Sequence, residues 1–374
     1  MLSARLRKAL AALAERIDSG HLASAERLQL AAWSYAAVER TPCLLLDLRP
    51  PEWPLFPYGE TLDNPEKMLW NELLQVYTGV QLRDDRMLAV RPHFGAGTVA
   101  SLFGARILRM GDAIPWVEPL HSNDAIRDLV ARGLPDVHAG FGGRVLETLM
   151  LYRDYLNEYP GIRIFLCDTQ GPLDTALLLW GSGLYVAMRE DSALVHALLN
   201  VVTETTIAFT HLQKQIAGEP LDQAWHFWYR VPGGVRVVDD VAMNISPEMY
   251  AEFGRPYNER ILAAFGGGYM HYCGHLLKTH ESRLATRGLR GIEMGFDNHR
   301  RSPLYTLERI WHTASRRHVA ILWIEEELPA ALPAIPTGLV YGCRLPGLAW
   351  DEAPCALRSL KSTLESGLNR DEKS

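Results

Sequence analysis

The chain has 374 residues, 48% of them apolar and 22% charged, a balance typical of a soluble globular protein with ample core material. A formal charge of −6 argues against nucleic acid or an anionic membrane as the main partner, since both reward a basic face. No uninterrupted apolar run approaches the ~20 residues of a membrane span. Cys43, Cys167, Cys273, Cys343 and Cys355 make an odd count, which points to reduced thiols and a cytoplasmic setting rather than a disulfide framework.

In chain order, Leu2, Leu6, Leu10, Leu13 and Ile17 recur on one stripe and predict an N-terminal helix. A Pro-rich stretch over 47–65 must be irregular, and 68–137 reads as loop-heavy. Residues 144–159 predict a helix and 162–167 a strand ending at Asp168. A long helix over 192–217 stops at Gly218. A strand over 235–238 ends in Asp239 and Asp240, and Ser246-Pro247 opens the next helix. Strands over 269–273, 291–294, 319–324 and 338–343 then alternate with helices, one of them over 304–317.

Strands of four to six residues alternating with helices predict parallel βα units. Polar residues gather where the strands end: Asp168, Asp239, Asp240, His271, Cys273, Glu325 and Cys343. That is the active rim of a (β/α)8 TIM barrel, the expected α/β fold, with an N-terminal helical extension. An open doubly wound sheet is the rival, but no Gly-rich phosphate turn follows an early strand. The expected organisation is an extension over 1–60, the barrel over 61–368 and a frayed tail over 369–374.

His271 and Cys273 lie two apart on a strand and so face the same way. Glu293, set between Ile292 and Met294, is a lone carboxylate in an apolar stretch, and Cys343 ends the last strand. One imidazole, two thiolates and one carboxylate form a four-ligand set suited to Zn²⁺: His271, Cys273, Glu293 and Cys343. Taken singly, a strand cysteine is as readily an apolar filler, and a strand-end histidine merely hydrogen-bonded. Cys43 and Cys167 read as core residues. Asp239 and Asp240 point to opposite sides of their strand, so one faces the mouth or both cap the next helix; Asp240 is the candidate.

These motifs carry a family resemblance. Gln170-Gly171-Pro172-Leu173, Asp239-Asp240, Ser246-Pro247-Glu248-Met249-Tyr250 and His271-Tyr272-Cys273-Gly274 resemble segments of the uroporphyrinogen decarboxylase superfamily. More narrowly, the chain resembles its zinc-dependent branch, the methylcobalamin:thiol methyltransferases. The resemblance implies a (β/α)8 barrel with zinc on His271, Cys273, Glu293 and Cys343, and Glu293 as the ligand that an incoming sulfur displaces. It further implies a methyl group exchanged between a corrinoid (methylcobalamin) on a partner protein and a small-molecule thiol or similar acceptor. Glu293 and Asp240 become the candidate catalytic residues. The aromatic run 225–229 either borders a corrinoid or packs as an ordinary strand. Two alternatives remain: tetrapyrrole decarboxylation and non-catalytic corrinoid binding. The segment 40–46 lacks the Arg cluster with which decarboxylases grip a tetrapyrrole.

Overall fold

The computed structural model describes residues 3–273, 277–294, 307–325 and 337–368. Gly274 of the motif over 271–274, the first turn expected at 304 and the tail 369–374 lie outside them. The N-terminal stripe forms the helix Ala4–Ala14, capped by the Ser3 side chain, with Leu6, Leu10 and Leu13 buried. A second helix, Ser19–Trp33, follows. The stretch read as loop-heavy opens instead on an 18-residue helix, Pro65–Leu82. Pro65 sits in its first turn behind the Asn64 cap, where a proline starts a helix rather than breaking one.

Eight strands form parallel ladders: β1 (Cys43–Leu46), β2 (Ala89–Val90), β3 (Arg163–Ile164), β4 (Val235–Val238), β5 (Gly268–Tyr272), β6 (Leu289–Met294), β7 (Ala320–Glu325) and β8 (Leu339–Arg344). Six make one sheet in the order β1-β8-β7-β6-β5-β4, and β2 pairs with β3 alone. The expected βα alternation is therefore present as a mixed α/β fold, but no continuous ladder closes a ring among the described residues. β1 falls within 1–60, so that segment contributes a strand to the main sheet.

Side chains alternate between two layers. Leu45, Val237, Met270, Tyr272, Ile292, Ile321, Trp323, Tyr341 and Cys343 belong to one buried cluster, which also takes in Ile261, Ile310 and Leu360 from helices. Leu44, Leu46, Tyr269, Leu322, Ile324 and Val340 belong to another, on the opposite face. The aromatic run fills this second face as an antiparallel hairpin, Ala224–His226 with Tyr229–Val231, turning at Phe227 with φ 49°. Packing, not an open mouth, accounts for Trp225 and Tyr229, both buried.

Side chains replace the missing ladder beside β1. Asp85 Oδ2 accepts the Cys43 N–H at 2.8 Å and Asp84 Oδ2 the Leu45 N–H at 3.2 Å. Arg86, fully buried, donates to both Asp84 oxygens (2.8 and 2.7 Å) and to Leu45 O at 2.5 Å. Three consecutive charged residues thus cover a strand edge that would otherwise leave its polar groups unpaired. Beyond β4, Gly171 N–H bonds Val238 O at 3.0 Å. A Cβ at Gly171 would lie 2.2 Å from that oxygen, so only glycine allows the approach.

The helix Ser192–Ala217 ends at Gly218 in the left-handed conformation, as the sequence predicts. It is long and apolar enough to cross a membrane, yet 56% of its most apolar window is buried within the fold, as in a core helix.

Candidate metal centre

The register of three strands builds the site. His271 on β5 stands opposite Val238 of β4 and Glu293 of β6. Cys273 follows β5 directly, and Asp240 follows β4 as the first residue of a short 3-10 turn, Asp240–Met243. The chain bends sharply into that turn because Asp174 accepts the backbone N–H of Asp240 at 2.9 Å and of Val241 at 2.8 Å. Asp240 Oδ1 in turn accepts the Cys273 N–H at 2.6 Å.

The outcome is a three-donor group. Cys273 Sγ lies 3.5 Å from His271 Nε2, and Nε2 lies 3.9 Å from Asp240 Oδ1. All three donor atoms fall within 4.8 Å of one another. Metal–ligand bonds of ~2.0–2.3 Å in a tetrahedron set neighbouring donors ~3.3–3.7 Å apart, so the spacing suits one small ion. A sulfur, an imidazole nitrogen and a carboxylate oxygen are also donors that zinc accepts. The residues present fit zinc.

Glu293 sits on the other side of the imidazole. Its Oε2 is 3.1 Å from His271 Nδ1, an ion pair that is off the line of a straight hydrogen bond, and it also accepts from the Tyr269 hydroxyl. Burial opposes charge on His271, but the Glu293 carboxylate outweighs it and lifts the imidazole to about 10. The same pairing, again against burial, holds Glu293 well below the usual carboxylate range. Its place is behind the histidine, where a carboxylate fixes tautomer and ring orientation.

Cys343 does not join the group. It lies on β8 with Leu339 and Tyr341 in the layer opposite the histidine and is fully buried. Its neighbour Gly342 faces inward, where a Cβ would meet Leu46, Tyr229 and Ile324 side chains at 2.9–3.3 Å. Strand alternation puts residue 343 on the far side from 342. The structure therefore brings together His271, Cys273 and Asp240, sets Glu293 beside them, and leaves Cys343 apart.

Several residues escaped the motif reading. Tyr269 shares a face with His271, two positions on, and touches Glu293. Arg236, a charge inside Val235–Val238, stands opposite Tyr269. A charged residue within an apolar strand signals a buried partner, and that signal was available. Arg236 also donates to Asp168 Oδ1 at 2.9 Å, while Arg91 donates to Oδ2 at 2.7 Å. Although burial works against it, these two guanidinium groups hold Asp168 well below the usual range. Burial, together with the charges of Asp240 and Asp239, pushes Asp174 well up. Asp239 itself is buried and bonded by Asn258 at 3.1 Å, so of the two adjacent carboxylates it is Asp240 that reaches the site.

No family profile matches this sequence, and no curated protein matches it. Among solved structures, the chain is similar to a methyltransferase from Methanosarcina mazei at a TM-score of 0.62, covering 90% of this chain and 98% of that one. At 16% sequence identity this likeness shows a shared fold.

Proposed function

We propose that the chain is a zinc-dependent methyltransferase, a member of the uroporphyrinogen decarboxylase superfamily whose eight parallel strands form a (β/α)8 barrel open at the seams flanking β2 and β3. One observation carries this reading: Cys273 Sγ, His271 Nε2 and Asp240 Oδ1 converge within 4.8 Å, at or just past the C-terminal ends of adjacent strands. Three protein donors leave a fourth position for a substrate, as in catalytic rather than structural zinc. The fold shared with a solved methyltransferase supports it. The methyl group would pass between a corrinoid on a separate protein and a thiol or similar acceptor.

Zinc, when bound, lowers the pKa of an incoming thiol and so supplies a nucleophilic sulfur near neutral pH. The protein's own groups do the placing. His271 presents Nε2 because Glu293 engages Nδ1, and Asp240 is fixed by its bond to the Cys273 N–H. Tetrapyrrole decarboxylation fits less well: Arg40, the arginine in 40–46, is committed to both oxygens of Asp85 at 2.5 and 2.6 Å. The test is methyl transfer from methylcobalamin to a series of thiols. Zinc-loaded protein is expected to catalyse it and chelator-stripped protein to fail; equal rates with and without metal would overturn the reading.

Metal binding should depend on pH with a definite sign. In the metal-free protein His271 keeps its proton up to about 10, well above its ordinary 6.5. That proton must leave before Nε2 can bind an ion, so affinity rises as pH rises. Competition against a chromophoric chelator should show at least a roughly tenfold gain per pH unit between pH ~6 and ~8 from this proton alone. A flat profile would place the histidine outside the donor set.

A further inference from the structure

Beneath the three donors, a line of buried polar side chains runs through the sheet's inner face. Tyr269 is fully buried, and its ring packs edge-on against Trp33 with centroids 6.3 Å apart. Phenylalanine would satisfy that packing. The hydroxyl instead donates to Glu293 Oε2, the same oxygen that faces His271 Nδ1. Arg236 stands opposite Tyr269 on the neighbouring strand and is itself held by Asp168 at 2.9 Å, which Arg91 holds in turn at 2.7 Å. These groups have little room to turn: the Arg91 and Arg236 side chains are 6% and 11% exposed.

We infer that Tyr269 and Arg236 are positioning residues for the metal centre. They fix the Glu293 carboxylate, which fixes the imidazole with Nε2 aimed at Cys273 and Asp240. This inference rests on the zinc reading above. A carboxylate held by a hydroxyl on the same oxygen that is ion-paired to His271 cannot rotate freely, because turning would break a charge-assisted bond in a dry interior. Without the hydroxyl, Glu293 keeps its charge but loses its anchor, and the histidine loses its fixed aim.

The test compares the wild-type chain with Tyr269→Phe by zinc titration against a chromophoric chelator, and by the ligand-field bands after loading with Co²⁺. Loss of an outer partner of a metal-binding histidine typically weakens affinity about 10–100-fold. The expected result is a fall of that size with shifted Co²⁺ bands, while the thiolate charge-transfer band of Cys273 persists. Affinity within about twofold of wild type, with unchanged bands, would overturn the inference. Should Tyr269→Phe not fold, Arg236→Gln decides by the same titration: an equal fall supports the inference, and no fall overturns it. A wild-type chain that takes up neither ion overturns the zinc reading and this inference together, which sets that failure apart from an unaffected variant.

Discussion

Cys273→Ala is expected to abolish stoichiometric zinc binding, whereas Cys343→Ala is expected to leave it at the wild-type level. Zinc-site free energies of about 10–16 kcal/mol over four ligands assign about 2.5–4 kcal/mol to each, or ~10²–10³ in affinity for the loss of one thiolate. Cys273 Sγ is 3.5 Å from His271 Nε2, within the donor group. Cys343 lies across the sheet among Leu339, Tyr341 and Trp323. Its removal should instead cost about 1 kcal/mol of stability, as for a small buried apolar group. Metal analysis of the two purified variants, paired with their denaturant midpoints, separates the roles. Loss of zinc from Cys343→Ala with Cys273→Ala unaffected would reverse the assignment.

The second large effect concerns the seam beside β1. Asp84→Ala is expected to destabilise the protein by about 3–5 kcal/mol, a large part of the 5–15 kcal/mol typical of a folded domain. Both Asp84 and Arg86 side chains are 0% exposed, so the substitution strands a buried guanidinium and frees the Leu45 N–H together. Breaking such a pair from one side is costly because the surviving charge has no solvent to retreat to. Urea unfolding should show a lowered midpoint with the slope unchanged. A change below about 1 kcal/mol would mean that water or another side chain takes over, and the seam would not depend on this carboxylate.

What the sequence made legible follows from where the physics is local. Periodicity located β4 to β8 and the helix Ser192–Ala217, since alternation and end signals there are strong. The pair His271 and Cys273 was found because two residues apart on a strand means one face. The sequence marks Asp240 as a candidate catalytic carboxylate but not as a metal donor; its donor position depends on Asp174, 66 residues earlier, bending the chain. Cys343 shows the limit from the other side. Its residue type and strand-end position matched a ligand, but its face was set by the parity of β8 relative to β5, which no local pattern carries. The seam at Asp84 and Asp85 was invisible for a similar reason: carboxylates standing in for a strand partner leave no periodic trace.

X-ray absorption at the zinc edge of the metal-loaded resting protein counts the sulfurs bound to the ion. The assignment of His271, Cys273 and Asp240 predicts one sulfur at ~2.3 Å and the remaining donors nitrogen or oxygen at ~2.0–2.2 Å. Two sulfurs in the shell would contradict it, since Cys343 would then have to cross to the inner face; a protein that holds no zinc at all would contradict it outright.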